Sequence, residues 1–241
     1  MIEIKNLDKS FDGNIILNNI STKFIQGKTN LIIGQSGSGK TILLKCLLGL
    51  HIPENGEIIY DGVSNKKMTD SQKTLLRREM GMVFQGSALF DSMTVLENVM
   101  FPLKMLTQKD EDEIIEKAEN AIKRVELENA QQKLPSELSG GMQKRVAIAR
   151  AIVMNPKYLF CDEPNSGLDP KTAIIIDNLI QEITKEYNIT TIINSHDMNS
   201  VMEIGEKNWE GTNKDIFSTE NQSITDFVYS SELLKKVKKY L

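Results

Sequence analysis

The sequence predicts an α/β fold: a mostly parallel sheet core, an antiparallel β subdomain at the N-terminus and an α-helical subdomain beside them. Three observations predict it. Short continuous apolar runs at residues 31–33, 81–84, 158–161 and 190–194 are separated by helix-length periodic segments, the pattern of strands buried on both faces and joined by helices. The first of these runs ends in a glycine-rich loop that leads into an apolar, helix-length segment at 42–50. The first 30 residues instead alternate in strand fashion, with Ile2 and Ile4, then Ile15, Leu17 and Ile20, around the turn residues Asp12-Gly13-Asn14.

The glycine loop carries the sharpest chemical signal. Gly34-Gln35-Ser36-Gly37-Ser38-Gly39-Lys40-Thr41 fits the spacing G-x-x-x-x-G-K-S/T. Its glycines let the backbone turn tightly enough for successive N–H groups to point at one anion, and the positive end of the following helix adds to the attraction. Lys40 supplies a mobile charge for the outer phosphates of a nucleotide. The Thr41 hydroxyl is placed to ligate the Mg²⁺ that bridges the β- and γ-phosphate oxygens.

Phe11, just before the first turn, reads either as a core residue or as a face on which an adenine ring could stack. Beyond residue 50, Pro53 and Asn55-Gly56 mark a turn, 57–60 a strand and Asp61-Gly62 a second turn. A polar helix is expected at 69–80, and the buried strand at 81–84 ends at Gln85. Residues 87–106 are apolar and rich in methionine, which suits a core or a partner interface. At 110–128, Ile114, Ile115, Ala118, Ala121, Ile122 and Val125 recur at helical spacing on an acidic background, as in an amphipathic helix. Pro135 breaks that pattern, and further helices are expected at about 141–154 and at 171–187. The last two strands end in Asp162-Glu163-Pro164 and Ser195-His196-Asp197, so a ligand is expected at the carboxyl ends of the sheet.

Those strand ends carry reactive groups. Asp162 can hold Mg²⁺ through water, and Glu163 is placed to orient or deprotonate an attacking water. His196 is placed to touch a γ-phosphate, and Gln85 offers a modest amide ligand for Mg²⁺ or water. Ser139, Gly140 and Gly141 head a later helix and offer a second anion site of one hydroxyl and bare amides. One chain cannot easily wrap both sites around one nucleotide. Two copies head to tail, each covering the other's ATP, are therefore expected.

Composition narrows the class. A net charge of -4 and a pI near 5.4 argue against nucleic acid as a partner, which would call for a basic face. Cys46 and Cys161 lie inside apolar segments and are expected as core thiols of a reducing cytosol rather than as a disulfide. No apolar run approaches the ~18 residues of a bilayer span, and the start, MIEIKNLDKS, lacks a signal-peptide pattern. Work at a membrane would need another chain to hold this one there.

In order, GQSGSGKT, Gln85, LSGG, YLFCDE, SGLD at 166–169 and His196 resemble the motifs of the ATPase subunit of ABC transporters, over residues 2 to about 204. The resemblance implies a P-loop NTPase of the ABC ATPase type. It implies that Phe11 stacks on adenine, that Gln85 senses Mg²⁺ and water, and that Glu163 is the general base. It also implies that His196 is the γ-phosphate switch and that Asp169 couples the two sites of a dimer that ATP closes and hydrolysis reopens. On that plan the chain is one domain. Residues 1–85 and 156–215 form its core with the antiparallel β subdomain, 86–155 its helical subdomain and 216–241 a helical tail.

Within the family, FQGSALFDSMTVLENVMFPL at 84–103 and LPSELSGGM at 134–142 are similar to the ATPase of the Mla-type, MCE-associated phospholipid transporters, which share Met142 where the commonest signature has Gln. This likeness implies phospholipid cargo and a permease whose coupling helix docks near residues 86–105, where the apolar Ala88-Leu89-Phe90 suits a socket for such a helix. It further implies an MCE-type lipid-binding protein in the same complex and a place on the cytoplasmic face of the inner membrane. The same motifs fit an ABC ATPase for another cargo. A soluble ABC-type protein acting on nucleic acid would be expected to show a basic surface or coiled-coil insertions.

One departure follows His196. Where the family continues with two strands around a Gly turn, residues 203–208 run directly into Trp209-Glu210-Gly211, so about ten residues of apolar hairpin are missing. An uncovered sheet edge or a rearranged C-terminal region is expected there. The end of the chain, LLKKVKKY at 233–240, reads as a basic helix against anionic lipid or a partner, or as a frayed, solvated end.

Overall fold

A computed structural model of the chain describes residues 1–34 and 37–195. Its elements in order are β1 (Ile2–Phe11), β2 (Asn14–Phe24), β3 (Thr29–Ile33), α1 (Lys40–Leu47), β4 (Asn55–Tyr60), β5 (Val63–Ser64), α2 (Asp70–Arg78), β6 (Met80–Val83), α3 (Val95–Leu106), α4 (Glu111–Arg124), α5 (Gly140–Ile152), β7 (Tyr158–Asp162), α6 (Pro170–Glu186) and β8 (Thr190–Ser195). Short 3₁₀ turns occur at Asn65–Lys67 and Pro135–Glu137.

The strands sort into two sheets of four. The antiparallel sheet runs in the order β2-β1-β4-β5, and both of its tight turns are Asp-Gly pairs. Asp12 and Gly13 sit at φ 50° and 80°, and Asp61 and Gly62 at 46° and 85°, the doubly left-handed turn whose twist matches the flanking strands. The second sheet is parallel, in the order β3-β8-β7-β6. The α/β class with its antiparallel N-terminal part is thus as predicted.

The continuous apolar runs are strands with a core on each face. Along β7, Tyr158 and Phe160 enter the core built with α1 and the antiparallel sheet, whereas Leu159 and Cys161 enter the core built with α3, α4, α5 and α6. All four are at most 1% exposed, so β7 ties the two cores together. Cys46 and Cys161 are buried, free thiols, as expected, and burial pushes Cys46 up to about 11.

Element ends depend on chemistry that periodicity does not carry. Thr69 and Asp110, expected inside helices, instead precede α2 and α4 as caps, each accepting the backbone N–H three residues on. α1 stops at Leu47, short of residue 50. Gly49 at φ 70° donates its N–H to the Cys46 carbonyl and Leu50 donates to Lys45, which closes the helix end. Residues 87–106 divide into a loop and α3, started by a reciprocal cap between Thr94 and Glu97. Among the described residues β3 and β6 are the outer strands of the parallel sheet. The missing hairpin and the basic tail lie outside the described residues.

Candidate functional site

β3 delivers the chain into the glycine loop, which lies against β2. A Cβ on Gly39 would meet Ile16 Cγ2 at 3.0 Å and the Ile16 carbonyl oxygen at 3.2 Å, so the loop approaches closer than a side chain would allow. Lys40 opens α1 in a buried position, and its Nζ donates to the Gly34 carbonyl at 2.8 Å. The first turn of α1 holds no acidic side chain, which leaves the positive helix end for an anion. Gly37 and Ser38 complete the visible loop; Gln35 and Ser36 lie outside the described residues.

Polar groups from three elements meet next to this loop. Thr41 Oγ1 donates to Asp162 at the end of β7, 3.0 Å from Oδ2 and 3.2 Å from Oδ1. Asn194 on β8 donates from Nδ2 to the same carboxylate at 3.0 Å. One residue on, Glu163 takes φ 48°, a left-handed conformation that costs a non-glycine residue roughly 1–2 kcal/mol. Its N–H donates to the Asn194 carbonyl at 3.1 Å, and its carboxylate accepts from Gln85 Nε2 at 2.9 Å. Gln85 also lies 3.4 Å from Ser166 Oγ. The two neighbouring carboxylates therefore serve different partners, Asp162 the Thr41 hydroxyl and the Asn194 amide, Glu163 the Gln85 amide.

The oxygens at this spot suit a hard cation. A hydroxyl, a carboxylate and the amide oxygen of Gln85 match the preference of Mg²⁺, which is usually held by one or two carboxylates together with phosphate oxygens. Among the described residues no cluster of three or more His, Cys, Asp or Glu side chains forms, so such an ion would depend on phosphate for the rest of its shell.

The second anion-binding candidate sits elsewhere. Ser139 caps α5, its Oγ accepting from Met142 N–H at 3.3 Å. A Cβ on Gly141 would stand 2.7 Å from Thr172 Cγ2, so the start of α5 packs closely on the start of α6. Gly140 faces Leu168 in the same contact. Asp169 caps α6, accepting from Thr172 Oγ1 at 2.6 Å and from the Lys171 and Thr172 N–H groups at 3.1 Å each. These bonds, the Thr172 hydroxyl first, hold its carboxyl below the usual carboxylate range. Phe11 stays out of both cores. It is 37% exposed, with His51 edge-on at 5.3 Å and Lys9 Nζ 4.8 Å from its ring centre. His196 lies outside the described residues.

Beyond Gln85, four residues that the sequence reading passed over hold the chain. Ser87 and Ala88 are both left-handed, at φ 62° and 48°, and Arg150 of α5 donates to both of their carbonyls at 2.8 Å. Burial lowers the pKa of that guanidinium. Lys144, also on α5, donates to the Gln85 carbonyl. Asn98, fully buried on α3, donates to the Phe90, Met93 and Thr94 carbonyls and accepts from Phe90 N–H at 2.9 Å. Asn194, described above, is the fourth. Arg150 interrupts an apolar periodic run, and that interruption was the available signal, whereas Lys144 is masked by the polar run Gln143-Lys144-Arg145.

The loop so held borders an open apolar groove of about 370 Å³ lined by Phe84, Ala88, Phe90, Phe101, Met105 and Met154 among others. Phe90 and Phe101 pack with ring centres 4.6 Å apart. Leu89, expected beside Ala88 and Phe90 in a socket, instead packs against the helical core. No helix among the described residues is long and apolar enough to cross a membrane.

The methionine import ATP-binding protein MetN of Clostridium tetani is 44% identical over 204 residues, which are 85% of this chain but 64% of that protein. The intermembrane phospholipid transport system ATP-binding protein MlaF of Haemophilus influenzae is 35% identical over 237 residues, 95% of this chain and 90% of that one. The chain thus spans under two thirds of the methionine import relative but nearly all of the phospholipid one. Among solved structures, a dimeric ATP-binding cassette in a post-hydrolysis state, bound to ADP and Pi, superposes with a TM-score of 0.75 at 33% identity, covering 84% of this chain and 90% of that chain. The sequence profile of the family described as ABC transporter matches residues 17–166, from β2 through the glycine loop to Ser166 beside Glu163, and the chain belongs to that family.

Proposed function

We propose that this chain is the ATP-binding and ATP-hydrolysing motor subunit of an ABC transporter, working as a head-to-tail pair, with phospholipid as the cargo. The observation that carries the reading is the pair of contacts at the strand ends, Thr41 to Asp162 and Gln85 to Glu163. These contacts support reading Thr41 and Asp162 as a metal-ligating pair beside Gln85 and Glu163 as a water-handling pair.

In this reading the loop at 34–41 cradles the phosphates, and the Lys40 ammonium exchanges the Gly34 carbonyl for their outer oxygens. Mg²⁺ held by Thr41, Asp162 and Gln85 would neutralise charge on the β- and γ-phosphates. Phe11 offers its exposed face to adenine. Glu163 takes the proton of a water positioned by Gln85, and His196 is the γ-phosphate switch. Ser139, Gly140 and Gly141 of one copy cap the phosphate held by the other, and Asp169, at the contact of α5 with α6, links the two sites. The likeness to a dimeric cassette bound to ADP and Pi supports both the pairing and the turnover. The division into a core at 1–85 and 156–215, a helical part at 86–155 and a tail at 216–241 belongs to the same proposal.

The near full-length match to the phospholipid relative, together with the segment 84–103 and Met142, favours lipid over methionine as cargo. The groove beside Phe90 offers a permease helix an apolar seat within 86–105, on the cytoplasmic face of the inner membrane, with an MCE-type protein in the same complex. The test is to purify the chain with its permease, assay ATP turnover in Mg²⁺ and identify the bound molecules by mass spectrometry. Turnover with co-purifying phospholipid is expected. Bound methionine without phospholipid would keep the motor and replace the cargo, and absence of turnover would remove hydrolysis.

A further inference from the structure

We propose that Lys144 is a positioning residue that ties the Gln85 backbone to the helix headed by Ser139, so that hydrolysis in one nucleotide site answers to occupation of the other. This rests on the reading of Gln85 and Glu163 as the hydrolytic pair.

Lys144 lies in the middle of α5 at 4% exposure, and its ammonium donates to the Gln85 main-chain carbonyl. Burial lowers its pKa, while Cys161 and the Glu163 carboxylate act in the opposite direction. An apolar side chain would fill this buried position without the cost of taking a cation out of water. What the cation adds is a directed hold on Gln85, whose amide touches Glu163 at 2.9 Å from the other end of the same residue.

The helix makes this hold mechanical. Lys144 is five residues from Ser139, about 7.5 Å along the axis, too short a span of α-helix to flex appreciably. Arg150, further along the same helix, holds the Ser87 and Ala88 carbonyls, so the loop after β6 is fastened to α5 at two points. A phosphate of the second nucleotide drawing on Ser139 and Gly140 displaces α5. Lys144 passes that displacement to Gln85, and through its amide to Glu163.

The experiment uses the chain assembled with its permease, in ATP and Mg²⁺. Lys144→Met keeps the length of the side chain and removes its donors, whereas Lys144→Gln keeps a donor without the charge. For Lys144→Met, ATP affinity should stay within about twofold of wild type, while kcat falls by about tenfold to a hundredfold, as expected for a misplaced catalytic group. Cooperativity in ATP should be lost, and Lys144→Gln should recover part of both. A merely structural lysine would lower Tm and kcat in both variants but leave cooperativity intact, and that result overturns the proposal. If Lys144→Met does not fold, a double-mutant cycle of Ser139→Ala with Lys144→Gln decides: non-additive effects on kcat support the tie, additive effects refute it. If wild type turns over and Lys144→Met matches it, the tie alone falls; if wild type does not turn over, the hydrolytic reading falls with it.

Discussion

The strand-end site and the apolar groove lie within a few residues of each other on either side of Gln85, yet they are held by different means. At the strand ends the two carboxylates are fixed through the backbone register of the parallel sheet: Asp162 pairs with Asn194 across β7 and β8, and Glu163 hangs from the Asn194 carbonyl. In the groove the surface is made of rings and methionines, with Met105 65% exposed and Phe90 39%. Chemistry on phosphate tolerates little displacement, whereas an apolar seat needs only a fitting shape. The first kind of site is written at fixed spacings and identifies the family. The second is written in adaptable side chains, and in the proposed reading it is where the permease is recognised.

That contrast is open to attack from both sides. The largest expected effect is on the phosphate loop: Lys40→Ala removes a charge-assisted contact and should weaken ATP binding by about a hundredfold in calorimetry. Unchanged affinity would take the loop out of the account. In the groove, Met105→Asp places a charge on an exposed apolar seat and should weaken association with the permease by about tenfold while leaving ATP affinity alone. If ATP affinity dropped instead, the two regions would not be separable in the way described. The smallest effect is expected at Phe11, where Phe11→Ala should cost about fivefold in ATP affinity through lost ring stacking. A larger loss for ATP than for inorganic triphosphate would sharpen the assignment to adenine, and equal losses would remove it.

The sequence made the strands, their order of polar ends and the glycine loop legible, because continuous apolar runs and a fixed loop spacing are local signals. Boundaries were less so. Thr69 and Asp110 read as helix because caps share the composition of a first turn, and α1 read as longer because the closing bonds at Gly49 and Leu50 leave no apolar trace. The residues that fasten the site were hidden for a different reason. Lys144 and Arg150 find their partners 59, 62 and 63 residues away in the chain, contacts that no periodicity reports. Leu89 looked like part of a socket because Ala88 and Phe90 flank it, but two left-handed residues just before it turn the loop so that it packs inward.

The central claim is that two copies close around ATP and that Glu163 opens them by hydrolysis. The direct measurement is the mass of purified Glu163→Gln by light scattering in ATP and Mg²⁺, with bound nucleotide counted. The account predicts a stable dimer carrying one intact ATP per chain that returns to monomer when nucleotide is removed. A chain that binds ATP and stays monomeric at every concentration, or a variant that hydrolyses at the wild-type rate, would contradict it.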